Sequence, residues 1–176
     1  MKKIALSVCG LLFGLVLFAQ QVPKFPYPYE PKTDADFEKV QNQAVNCMKW
    51  FINTPINNYK ETFGSMHTFL LIWTAGIRTI PLSLDAKVAA PLLDEKSKPK
   101  TTYYMVAYLS GMILYQLDHS TQDDQIALQL EGVRAVIKFY QNNTDKLEVS
   151  QGVNKYIELD RSGKLDKWVS ENITKE

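Results

Sequence analysis

Two histidines, an arginine and a row of tyrosines are the residues of this chain whose spacing could make a chemical site. In "MHTFLLIWTAGIRTI", His67, Leu71, Thr74 and Arg78 recur at i, i+4, i+7 and i+11, a thin polar line along an otherwise apolar helical pattern. In "TTYYMVAYLSGMILYQLDHS", Tyr104, Tyr108, Gly111 and Tyr115 fall on one stripe by the same arithmetic, with Asp118 at its end. Facing each other, the two stripes would form a slot with hydroxyls, an imidazole and a guanidinium, suited to a small amphiphile with one acidic end. His67, Arg78, Tyr104, Tyr108 and Tyr115 are therefore the candidate ligand-binding residues. The competing reading makes the tyrosines core aromatics whose hydroxyls reach the rim or a backbone carbonyl. Arg78 then simply lays its stem along the surface.

Catalytic patterns are weaker. A hydrolase would have to use His67 or His119, yet the nearest serine, Ser65, is two residues from His67 and does not share its helix face. No G-x-S-x-G elbow is present. Asp118, Asp123 and Asp124 could pair as carboxylates, but acids there suit the positive end of a helix dipole. "DRSGKLDKWVSE" places Asp160, Ser162 and Glu171 at positions one, three and twelve of a calcium loop, but Lys164 and Leu165 stand where an oxygen ligand and a glycine are needed. Two histidines and Cys47 make no zinc set, and HExxH and CxxC are missing. A haem held by the histidines, or by one with Met66, Met105 or Met112, competes with the usual gap-filling role of methionine in cores. No catalytic residue, metal or cofactor is assigned.

The elements that would position these residues follow a cationic and apolar N-terminus. Lys2 and Lys3 precede an uncharged run from Ile4 to Phe18, and Ala19 supplies a small residue for cleavage, the layout of a secretory signal peptide over 1–19. Cys9 lies too deep in that run for a lipid-modified cysteine, and retention of the segment as an uncut anchor is the alternative. Removing 1–19 takes away two lysines and no acid, so 20 basic and 19 acidic residues become 18 and 19. A near-neutral chain argues against a nucleic-acid surface. Cys47 then has no partner for an intrachain disulfide. A chain of roughly 155 residues buries about 68–70% of its unfolded surface, enough for a core without staples.

Residues 20–33 read as an extended arm, because Pro23, Pro26, Pro28 and Pro31 alternate with Phe25, Tyr27 and Tyr29. Residues 34–176 read as the bundle. Thr33 with Asp36 starts a helix carrying Phe37, Val40, Ala44, Cys47 and Phe51 on one face, closed by Pro55. A second, starting near Asn58 or Ser65, runs to Pro81. Prolines 81, 91 and 99 mark a connection with one or two short helical turns. The charge-free segment from Thr101 to Leu117 is a third helix, and Ile126, Leu130, Val133, Ile137 and Tyr140 mark a fourth opening after Ser120 or Thr121. Thr144 is expected to cap a fifth that carries Val149, Val153, Tyr156 and Ile157, broken at "DRSG" before a last one with Trp168.

The expected fold is all-α, a single-domain bundle of five or six mostly antiparallel helices. The seventeen uncharged residues from Thr101 would span about 26 Å as a helix, short of the roughly 30 Å of a hydrocarbon core. They are read as the central core helix, so no transmembrane helix is expected in the mature chain. The functional expectation is an exported protein, periplasmic or secreted, that acts in the cell envelope by binding an unknown protein, with two alternatives: binding of a small amphiphile in the tyrosine-lined slot, or an envelope hydrolase using His67 or His119.

Overall fold

The computed structural model describes residues 21–56, 59–93, 98–120, 124–147 and 150–174, with the backbone alone for 98–101. The signal segment, Asn58, Thr121, Asp123 and Val149 lie outside the described residues. Among those described, the chain is all-helical, with eight α-helices and no strand. They are α1 (Asp34–Lys39), α2 (Gln41–Asn53), α3 (Lys60–Gly76), α4 (Ala86–Ala89), α5 (Lys98–His119), α6 (Gln125–Gln141), α7 (Gln151–Arg161) and α8 (Leu165–Asn172). A 3-10 turn, Ala90–Leu93, follows α4.

The count exceeds five or six for two reasons. The first expected helix is broken at Val40, where the backbone turns to φ −105° and ψ 9°. The Phe37 carbonyl, which an unbroken helix would offer to residue 41, instead accepts from Trp73 Nε1 at 2.9 Å. The second addition is α4, in the proline-marked connection, capped by Asp85. The expected start does hold: Asp36 accepts from the N–H and the hydroxyl of Thr33 at 2.9 and 3.0 Å.

Three other boundaries move. Helix α3 stops at Gly76 rather than reaching Pro81, and a Cβ at Gly76 would land on the Phe37 ring. Helix α5 starts three residues early, at Lys98, with Pro99 in its first turn, where a missing N–H costs nothing. Helix α7 is capped by Ser150, not Thr144, whose segment forms turns. At "DRSG" the chain closes α7 in a Schellman turn. Lys164 N–H reaches the Leu159 carbonyl and Gly163 N–H the Asp160 carbonyl, with Gly163 at φ +66°.

Helix α5 is the centre of the core. It runs antiparallel to α6: Tyr104 meets Phe139 and Tyr140, and Gly111 meets Glu131 and Ala135. A Cβ at Gly111 would strike the Glu131 carbonyl oxygen and come within 2.6 Å of the Ala135 Cβ, so only glycine permits this approach. Tyr108 fills the space above Gly132. At the other end Phe51 of α2 stacks on Phe139 at 4.9 Å and meets Phe63 of α3 at 5.2 Å. Each such ring pair contributes about 0.5–1.5 kcal/mol beyond its buried area. No helix among the described residues is long and apolar enough to cross a membrane.

The arm lacks regular structure and lies on the bundle. Phe25 stacks on Phe69 at 5.6 Å, and Tyr29 sets its edge against Phe69 and Phe37. Tyr27, between them in the chain, is 58% exposed. Trp168 is half-buried against Tyr156, with the Lys155 ammonium 4.7 Å from its ring.

Candidate functional site

The five ligand-binding candidates are not gathered into one slot. Because α3 ends at Gly76, Arg78 is not on the helix that carries His67. Its side chain is 82% exposed, 3.8 Å from Asp34. Thr74 is buried and turns its hydroxyl to the Leu70 carbonyl at 2.8 Å. Tyr104 and Tyr108 are fully buried. Tyr108 donates to the Gln129 side-chain oxygen, and that amide donates to the Ser83 carbonyl at 2.6 Å. Burial pushes the Tyr108 hydroxyl well above its usual range, with nearby Asp85 adding to the shift. It is a structural donor inside a closed network.

His67 packs its ring 4.5 Å from Tyr103 and 6.4 Å from Phe51. Its Nε2 is buried and meets no hydrogen-bond partner among the described residues. Burial holds the imidazole below its ordinary value, against the opposing pull of a hydrogen bond to the Thr102 backbone. His67 sits beside residue 103 and His119 ends the same helix, about 24 Å further along α5. The two histidines cannot share a reaction centre.

Of the five, Arg78 lines a small cleft of about 270 Å³ beside α1, and Tyr115 borders an open groove. This groove, about 650 Å³, runs between α2 and α6 over the C-terminal half of α5. Val45, Ile52, Leu114 and Ala135 give it apolar surface, and Gly111 lies in its floor. Lys49 stands on the α2 wall, and Glu131 and Arg134 on the α6 wall. Periodicity explains the walls: Val45, Lys49 and Ile52 are four and three apart on α2, and Glu131, Arg134 and Ala135 share a face of α6.

The charges of the groove are unequally engaged. Arg134 donates to Glu131 at 2.7 Å and to Asp166 of α8 at 3.1 Å. Its pKa is raised, first by the Glu131 hydrogen bond. Asp118 lies 3.8 Å from His119 Nδ1. Lys49 makes no ion pair among the described residues. His119 stacks on Tyr115 at 4.1 Å, and its Nδ1 lies 3.0 Å from the Tyr115 carbonyl. A carbonyl only accepts, so Nδ1 carries the proton and Nε2 is left to a ligand. Sequence reasoning had Tyr115, Asp118 and His119 in hand but missed Lys49, Glu131 and Arg134, because surface charges on amphipathic helices look alike until the helices are packed.

A second cleft, about 600 Å³, lies beneath the arm beside α1. Of its two carboxylates, Glu30 and Asp36, Asp36 is already taken up by the Lys32 and Thr33 N–H groups and the Thr33 hydroxyl, which together hold its pKa low. Cys47 is fully buried, and burial pushes its thiol up to about 12. Among the described residues no group of three or more His, Cys, Asp or Glu could hold a metal ion. Compared with protein-family models, curated proteins and solved structures, the chain shows no significant match to any.

Proposed function

We propose that this chain is a non-enzymatic binding protein of the cell envelope that takes a small amphiphile in the α2–α5–α6 groove. The observation that carries the reading is the groove itself, apolar at Val45, Ile52, Leu114 and Ala135, charged at Lys49, Asp118, Glu131 and Arg134, and of a volume typical of small-molecule sites. Placement in the envelope rests on the signal-peptide pattern of residues 1–19. The reading keeps Tyr115 from the tyrosine stripe and moves the acid-binding role from Arg78 to Lys49. Binding is favoured over hydrolysis because His67 faces aromatic rings and His119 Nδ1 faces a backbone carbonyl. Neither is hydrogen-bonded to a serine, threonine or cysteine side chain that it could activate, among the described residues.

The test is a thermal unfolding series with apolar extracts of cell envelope. A ligand at a hundred times its Kd adds about 2.7 kcal/mol, which raises Tm by roughly 5–10 °C in a chain of this size. Val45→Glu, at a half-buried position on the groove wall, should abolish the rise. No rise with any extract sinks the proposal, and a rise that survives Val45→Glu places the ligand elsewhere.

A further inference from the structure

We infer that the groove selects a free, medium-chain amphiphile with a single anionic head, held by Lys49. This rests on the groove being the binding site and names what it takes. Two observations set the ligand class. The first is charge: Arg134 is engaged by Glu131 and Asp166, and no carboxylate among the described residues lies within ion-pair distance of Lys49, the other cation of the groove. An anionic head meets an unmatched ammonium there, whereas a cationic head placed beside Lys49 would be repelled by it. The second is length: from Gly111 to His119 the floor covers nine residues of α5, a rise of about 12 Å. An eight-carbon chain with its head group lies within that span, and a sixteen-carbon chain overhangs it.

The floor also sets polarity along the groove. Gly111 packs directly against Glu131 and Ala135, and the half-buried Val45 and Leu114 beside it offer apolar surface on which an alkyl tail can lie. Tyr115 and His119 stack at the opposite end of the floor, presenting a ring face and a free nitrogen. A peptide helix is a poor fit, since 12 Å is only about two helical turns. A membrane surface is a poor fit too, because the unmatched charge lies on a groove wall rather than on a basic face.

The experiment is amide NMR of the purified protein titrated with octanoate, octyl glucoside, octyltrimethylammonium, palmitate and phosphatidylglycerol vesicles. Octanoate should shift Val45, Lys49, Gly111, Tyr115 and His119 and bind at least several-fold more tightly than the two other eight-carbon probes. Palmitate should bind no tighter than octanoate, and vesicles should leave the groove unshifted. Lys49→Glu should weaken octanoate about fivefold to tenfold, the scale expected when an exposed ion pair becomes a repulsion. Lys49→Met should weaken it less and leave octyl glucoside unchanged. Because Lys49 is exposed, both variants should keep the wild-type circular dichroism and Tm. Equal binding of all three eight-carbon probes in the groove, tighter binding of palmitate or vesicles, or indifference to Lys49→Glu overturns the anionic medium-chain assignment while leaving the groove as a binding site. If no probe shifts a groove residue, both the assignment and the groove reading fall.

Discussion

Replacing Asp85 by alanine should unlock the C-terminal end of the chain from the bundle. One carboxylate oxygen of Asp85 accepts from the N–H groups of Lys87 and Val88, both at 2.9 Å, and so caps α4. The other accepts from the N–H of Thr174 at 2.7 Å, a residue just beyond α8. Loss of the cap costs about 1 kcal/mol. The charge-assisted bond to Thr174, discounted for its contact with solvent, adds about 1 kcal/mol. A total of about 2 kcal/mol lowers Tm by roughly 4–8 °C. Urea unfolding followed by circular dichroism gives the difference directly. Burial raises the Asp85 pKa, but the N–H groups of Thr174 and Val88, the Thr174 hydroxyl and the Lys87 N–H outweigh it and leave the carboxyl below its usual value. The stabilisation is therefore complete above the unfolded value of about 3.9 and is lost as pH falls through the lower folded value. The gap between wild type and Asp85→Ala should hold from pH 7 to pH 5 and shrink below pH 4. Asp85→Asn keeps one acceptor and turns an amide NH₂ toward Thr174, so it should lose about 1 kcal/mol, and deleting residues 174–176 should remove that loss. An Asp85→Ala variant within 0.5 kcal/mol of wild type, or a gap that does not respond to acid, would falsify this assignment.

Gly111→Val should destabilise by about 1–3 kcal/mol, the cost of overpacking, because its Cβ meets the Glu131 carbonyl and Ala135; an unchanged urea midpoint would mean that α5 and α6 do not approach so closely. His67 binds a proton more readily unfolded than folded, so its stabilising effect is full above its unfolded pKa of about 6.5 and declines as pH falls below it. The stability difference between wild type and His67→Gln should accordingly be larger at pH 8 than at pH 5, and a difference that grows on acidification would contradict the burial of this ring. Cys47 should resist a thiol-reactive disulfide reagent in the native protein and react fully in guanidinium, given its burial and a thiol pushed up to about 12. Rapid native labelling would place it at the surface.

The helical class was legible because the period of apolar residues is a local property. Phe51, Val133, Val153 and Tyr156 sit in the core where their spacing places them, although Ile126, on the same sequence stripe as Leu130, is 42% exposed. The helix ends were less legible, since tertiary partners set them. The Trp73 indole takes the Phe37 carbonyl and accompanies the break at Val40, and the Phe37 ring demands glycine at position 76. The expected slot fails because an arithmetic carried to Arg78 assumes a helix that continues past Gly76, where α3 stops. The tyrosine stripe was read as one surface, yet α6 divides it. Tyr104 and Tyr108 face the residues that α6 packs over them, while Tyr115, one turn beyond the close approach at Gly111, is left where α2 and α6 stand apart. The same glycine that brings two helices together thus marks where the stripe passes from core to groove.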